Sequence, residues 1–268
     1  MKQRFPIYLS FIVSLGLVLS ACDNAPPPFN KAHSSPLAES VNQNMVRVSG
    51  GHFVMGSDDK AATYAEKPAH DVKVDDFYIS KFEVTQELYE TVMGPSYSYF
   101  KGPNNPVNNI SWQQANQFID KLNHLTGEIY RLPTEAEWEF AAKGGNKSQS
   151  LTYSGSNNID DVAWYDANSN NQAHPVGQKQ PNELGLYDMT GNVGEWVIDA
   201  YDVDFYKSSP SDNPVNAEDN KANAALKTVR GASFAYNENE SKNYRRDFAS
   251  QSIIMGDIGI RLAKSITQ

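Results

Sequence analysis

The sequence predicts an α+β fold of irregular build, with short strands, a few helices and long loops. Three observations carry that expectation. Helical spacing with matched caps appears in three segments; β-forming residues gather in short runs; and residues 144–185 and 202–225 are rich in Gly, Asn, Asp, Ser and Pro. Long irregular stretches inside a compact domain are usually functional or pinned by something.

Taken in chain order, the first element is an export signal. Lys2 and Arg4 precede an uncharged apolar run from Ile7 to Leu19, closed by the small residues Ser20 and Ala21. The run is too short to span a bilayer as a helix and has the flanks of a secretory signal peptide, assigned to residues 1–21. Leu19-Ser20-Ala21-Cys22 resembles the lipobox of bacterial lipoproteins, which implies that Cys22 is the lipidation site and the protein's membrane attachment. Asp23 follows directly, and by the enterobacterial pattern it favours the inner membrane, with the outer membrane left open. Residues 22–44 read as a flexible Pro-, Ser-, Asn- and Ala-rich tether. A single folded domain is expected over 45–264.

Within it, "HFVMG" and "VKVDDFYIS" read as strands. A helix starts after Thr85, with Leu88, Tyr89, Val92 and Met93 on one face and Gly94 behind. Ser111 and Gln114 form a capping box; Ala115, Phe118, Ile119, Leu122 and Leu125 follow at helical spacing until Gly127 stops the run. Thr134 and Glu137 form a second box, opening a helix that ends at Gly144-Gly145. Glu135 and Glu139 are expected as carboxylates favoured by the helix dipole, and Arg131 as half of a structural salt link. "KTVRGASF" and "GIRLA" supply late strands.

Charge and cysteine usage exclude several functions. The 268 residues carry a net charge of −9; removing residues 1–21 takes two of the 23 basic residues and none of the 32 acidic ones, leaving −11. Such a body is a poor partner for nucleic acid. Cys22 is the one cysteine, so a lipidated chain has no disulfide, thiolate nucleophile or Cys metal ligand.

"GGHFVMGS" (50–57), "EVTQELYETVMG" (83–94), "PVNNISWQQANQFIDKLN" (106–123), "YRLPTEAEWEFAAKGG" (130–145), "NELGLYDMTGNVGEWVID" (182–199), "VRGASF" (229–234) and "GIRLA" (259–263) stand in the order of the formylglycine-generating enzyme, or sulfatase-modifying factor, family. The chain resembles that family over residues 45–264. The resemblance implies a C-type-lectin-like fold, often with structural calcium. Calcium takes six to eight oxygen ligands, which a turn can supply by mixing carboxylates with carbonyls. The positions matching the family's ligands are Asp188, Gly191, Val193 and Glu195, the middle two through their carbonyls, and Asn168 is a candidate for a second site. Formylglycine generation in the family resembles a copper oxidase reaction using two cysteines after the "RGASF" position. This chain offers Tyr236, Ser241 or Asn243 there, and Gly194 replaces the usual aromatic of "GNVWEW". Hydroxyl and amide groups do not select Cu(I) as thiolates do, so no copper is expected.

Two functions follow as expectations. One is a non-catalytic binding or accessory lipoprotein engaging an envelope protein or peptide in the periplasm. The other is a periplasmic oxidoreductase or maturation enzyme of the same family working without thiols.

Overall fold

The computed structural model describes residues 35–217 and 225–266. The signal sequence, Cys22 and most of the tether lie outside the described residues. Among the described residues no helix is long and apolar enough to cross a membrane.

The folded unit begins earlier than the tether assignment allowed. Ser35 accepts a hydrogen bond from Ala38 N at 3.1 Å and opens α1 (Pro36–Asn42), which buries Ala38 and Val41 and lays Leu37 on the main core. A seven-residue helix has little stability of its own, so packing is what forms it. Residues 35–44 are therefore a docked element of the domain, not tether.

β1 (Met45–Val48), β2 (Gly51–Met55), β3 (His70–Val74) and β4 (Phe77–Ser80) follow. β2 and β3 make an antiparallel hairpin of their own, while β1 pairs antiparallel with β4, Val46 opposite Ile79. α2 (Gln86–Met93) is capped by Thr85, and α3 (Trp112–Thr126) carries the Ser111–Gln114 box and ends at Gly127 in the left-handed region, φ 73°. β5 (Tyr130–Arg131) leads into α4 (Glu135–Ala142), whose Thr134–Glu137 box is present. Arg131 grips Glu137 at 2.7 Å, the expected structural link.

A long loop interrupted by α5 (Ile159–Val162) reaches β6 (Gly194–Ala200), β7 (Leu226–Arg230), β8 (Arg246–Ser250), β9 (Ile258–Ile260) and β10 (Ala263–Ser265). Two four-stranded sheets result, ordered β1-β4-β10-β5 and β8-β7-β6-β9, the second antiparallel except for the β6–β9 pair. One core packs α2 and α3 through Tyr89, Phe118 and Leu122 against Trp196 and Ile260. The other sets Trp138 and Phe140 of α4 against Phe77, Ile79 and Val197.

The composition of the loop before β6 now has a reason. Asn182 Nδ2 donates to Ala141 O at 2.8 Å while its Oδ1 accepts from Leu184 and Leu186 N; Asn192 Oδ1 accepts from His174 N. Amide side chains satisfy buried backbone groups that a sheet ladder would otherwise pair.

Candidate functional site

Two sites converge at the start of β6. The first lies under the turn Asp188–Glu195. Asp188, Gly191 and Asn192 all take positive φ (56°, 74° and 59°), a conformation that Asp, Asn and Gly tolerate best. A Cβ on Gly191 would stand 2.2 Å from the carbonyl oxygen of Trp164, so the turn admits only glycine there.

This turn brings Asp188 and Glu195 together, buried, and adds Glu83 from the β4–α2 connection. Arg261, between β9 and β10, is the cation in their midst. Its Nη2 donates to Glu195 Oε1 at 2.7 Å and its Nε to both carboxylate oxygens; Trp138 Nε1 donates to Oε2 at 2.7 Å. Glu83 accepts from Asn192 Nδ2 at 2.6 Å and Val193 N at 3.0 Å. Asp188 Oδ2 accepts from Gly177 N at 2.7 Å, while its Oδ1 is buried without a partner. Three carboxylates thus face one guanidinium. Burial, with Asp188 and Glu195 adding to it, pushes Glu83 well above the usual carboxylate range. Burial likewise pushes Asp188 up to about 6, against the pull of Gly177 N and Arg261.

The donor set fits the implied calcium in part. Asp188 has an unused oxygen and the cluster has surplus negative charge, both of which a cation would absorb. Glu195 has both oxygens inside the Arg261 fork and the Trp138 bond. Among the described residues no three His, Cys, Asp or Glu side chains form a metal-holding group. Asn168 is spent on its own turn: Oδ1 accepts from Tyr165 N, and Nδ2 donates to Ala163 O.

The second site occupies the positions expected to carry catalytic sulfur. Tyr236 donates its hydroxyl to Asp247 Oδ2 at 2.6 Å, and Ser241 Oγ donates to Asn237 O at 2.9 Å. Burial, then the bond to Asp247, raises the Tyr236 hydroxyl far above its ordinary value. Asn243 is immobilised by Leu151 and Arg230 and stands in a different cavity. Beside Tyr236, Gly194, Val229, Met255 and Ile258 enclose a cavity of about 30 Å³ that also meets Asp247 and Asp257. A Cβ on Gly194 would meet Val229 Cγ1 at 2.9 Å, so an aromatic side chain there requires repacking.

Around this cavity the surface is apolar. Tyr97 is 83% exposed and Tyr99 72%, and Ile253 and Ile254 are each over 40% exposed, while Phe248 stacks on Tyr201 with ring centroids 4.3 Å apart, on the face of β8 opposite Asp247. Tyr99 lies against Gly256, while Asn109 ties Tyr97 O to Met255 O, which joins the two loops into one patch. Contiguous exposed apolar surface of this kind marks an interaction site.

Sequence reasoning assigned no role to Glu83, Arg261, Asp247 or Asp257. For Arg261 a signal was present: a charge inside the apolar run Ile258–Ala263 has to be paired if that run is buried.

Residues 30–266 match the model of the sulfatase-modifying factor enzyme 1-like domain. The chain is 38% identical over 206 residues to chaperone protein LppX of Paenibacillus barcinonensis, covering 58% of this chain and 71% of that one. It is 26% identical to the formylglycine-generating enzyme of Streptomyces coelicolor over 89% of this chain and 95% of that one. Among solved structures, Treponema denticola variable protein 1 superposes with a TM-score of 0.74 at 29% identity, over 83% of this chain and 95% of that one.

Proposed function

Because the chain belongs to the sulfatase-modifying factor enzyme 1-like family, we propose that it retains the family scaffold as a non-catalytic accessory protein of the cell envelope, anchored through lipid on Cys22 and engaging a polypeptide partner. One observation carries this reading: where the family resemblance places copper-binding cysteines stand Tyr236, Ser241 or Asn243, the first two closed into hydrogen bonds, and an exposed aromatic and aliphatic patch adjoins the cavity beside Tyr236. A phenol and an alcohol in such bonds offer Cu(I) no soft ligand. The patch offers a partner buried apolar area instead. The chaperone in the name of the 38% identical relative agrees with a role in handling another chain.

The test uses the purified full chain and a thermally unfolding reporter enzyme, with light scattering as the readout. The chain is expected to suppress aggregation, and the combined Tyr97→Ser, Tyr99→Ser and Ile254→Ser variant to lose at least fivefold of that effect with an unchanged melting temperature. The same preparation, given Cu(I), oxygen and a cysteine-bearing sulfatase-motif peptide, is expected to yield no formylglycine. Suppression that survives the triple substitution removes the docking surface. Product above a no-enzyme control restores the periplasmic oxidoreductase reading.

We also propose a structural calcium ion at the Asp188–Glu195 turn, held by Asp188 and the carbonyls of Gly191 and Val193. Its contribution would be to neutralise the carboxylate surplus around Arg261; the expected ligand Glu195 is given no part in this, because Arg261 and Trp138 already occupy both of its oxygens. Saturating calcium over chelated protein is expected to stabilise by about 2–3 kcal/mol at a hundredfold excess over Kd. Protons compete for Asp188, so the gain should grow as pH rises from 5 to 7 and vanish in Asp188→Asn. A melting curve indifferent to chelator at both pH values rejects the ion.

A further inference from the structure

Given the polypeptide partner proposed above, we infer that the outer edge of β2 takes an extended, basic segment of that chain as an added strand. A cavity of about 620 Å³ runs along this edge, within the usual range for ligand sites. His52, Phe53 and Val54 all line it, although successive side chains of a strand point to opposite faces. The cavity therefore meets the side of the strand, and Ser148, Leu151 and the stretch Lys242-Asn243-Tyr244 complete its lining.

The pairing of β2 with β3 sets which backbone groups face outward. In an antiparallel pair, residues that exchange hydrogen bonds alternate with residues whose N–H and C=O point away from the partner strand. Lys73, opposite His52, turns away from β2: its N–H donates to Ser211 O at 2.7 Å and its C=O accepts from Asn213 N at 2.8 Å. His52 accordingly turns its own N–H and C=O away from β3. Val54, two residues on, does the same, and its C=O accepts from Lys143 Nζ at 2.9 Å. Among the described residues no group bonds the N–H or C=O of His52 or the N–H of Val54.

The outer edges of β3, β5 and β8 are closed. Ser211 and Asn213 cover β3, and the Asn123 amide exchanges two bonds with Tyr130 of β5. On β8, Glu66 Oε1 accepts from Arg246 N and Asp247 Oδ1 from Phe248 N. A strand edge left open is a template for another chain.

The open groups select the ligand. Donor, acceptor and donor in succession match an extended peptide backbone, whose main-chain bonds hold an added strand while side-chain pockets give it specificity. The residue opposite Phe53 would share its face, where Phe53 meets Phe140 with ring centroids 5.2 Å apart and Leu151 lines the cavity, so an apolar side chain fits there. Residues opposite His52 and Val54 would lie on the outer face. Asp71 stands across from Val54, and Asp58, which accepts from Ala69 N, lines the same end of the cavity with Asp59. Among the described residues none of these three acids is in an ion pair, whereas Lys143 is already neutralised by Glu139. The net charge of −9 attracts the same sign of ligand at longer range.

The probe is a fluorescein-labelled peptide, Ser-Thr-Val-Lys-Val-Thr-Ser, titrated with the full chain and followed by fluorescence anisotropy. Val54→Pro removes the open N–H where β3 receives no bond from it, a place at which edge strands accept proline, and Val54→Thr keeps the N–H. The expected result is saturable binding, weakened at least tenfold by Val54→Pro and changed less than twofold by Val54→Thr. On the parent protein, N-methylation of the three central peptide amides should also weaken binding at least tenfold. No saturable binding at millimolar peptide, equal binding of the methylated peptide, or equal binding by a Val54→Pro variant that melts with the parent overturns the added strand. Glutamate in place of the peptide's lysine, bound as tightly, overturns the basic assignment. The Tyr97→Ser, Tyr99→Ser and Ile254→Ser variant should bind the peptide as the parent does, which separates failure of this edge from failure of the chaperone-like reading; loss of binding in that variant overturns the edge.

Discussion

Arg261→Met is expected to cost about 3–5 kcal/mol at pH 7, enough to unfold much of the protein at physiological temperature. Arg261 is the guanidinium among Glu83, Asp188 and Glu195, and its remaining N–H groups serve Ser80 O and Tyr187 O. Removing it leaves three buried carboxylates with two backbone donors, the Asn192 amide and one indole as their support. The loss should depend on pH in a defined direction. With chelator present, Asp188 titrates near 6 in the folded state and Glu83 well above its ordinary value, both raised over an unfolded carboxylate near 4. A raised folded pKa means the native state holds more protons, so this contribution to stability is complete at low pH and is lost as pH climbs through the folded value. Without Arg261 the folded values rise further, and acidification from pH 7 to 5 should restore part of the stability. Denaturant midpoints of parent and variant at the two pH values measure this; a deficit as large at pH 5 as at pH 7 contradicts it.

Arg230→Met is the second large effect, with the opposite signature. Arg230 donates to Glu135 Oε1 at 2.8 Å and Glu139 Oε2 at 2.7 Å, entirely buried. Here the charges are balanced: Arg246 also grips Glu135 at 2.6 Å, and Lys143 also grips Glu139. Burial works to raise the Glu139 carboxyl, but Lys143 and Arg230 outweigh it and hold it at about 2; Arg246 and Arg230 likewise keep Glu135 low. Each acid keeps one cation after the substitution. The expected cost is about 3 kcal/mol, near the lower end for breaking a buried pair, and acid should bring no rescue. Lowered folded values add stability above the unfolded pKa, and that stability is lost as pH falls through the folded value. Equal melting of parent and variant at pH 7, or recovery of the variant at pH 5, counts against this account.

Local chemistry made much of this legible in advance. The boxes Ser111–Gln114 and Thr134–Glu137 and the stop at Gly127 were read correctly, because a cap is complete within four residues. The mixed, loop-rich class followed from element lengths and composition, and the ordered motifs named the family. Glu135 and Glu139 were read as dipole-favoured carboxylates, yet both lie on the buried face of α4 beside Trp138. Nothing nearby in the chain could correct that, since their partners Arg230 and Arg246 stand about a hundred residues away.

The same division runs through the sites. By itself the sequence determined the chemical inventory: one cysteine, ahead of the expected domain, a turn rich in oxygen ligands, and Tyr236, Ser241 or Asn243 where sulfur was expected. Only the tertiary structure decided what those groups face. It turned residues 36–42 from tether into a docked helix, because Leu37 and Val41 found a core to cover. It engaged both oxygens of Glu195 with Arg261 and left one oxygen of Asp188 unpartnered. It also joined the loop of Tyr97 and Tyr99 to that of Met255 and Gly256 in one surface. Pairing and burial depend on segments distant in sequence, and local propensity carries no information about which of them will meet.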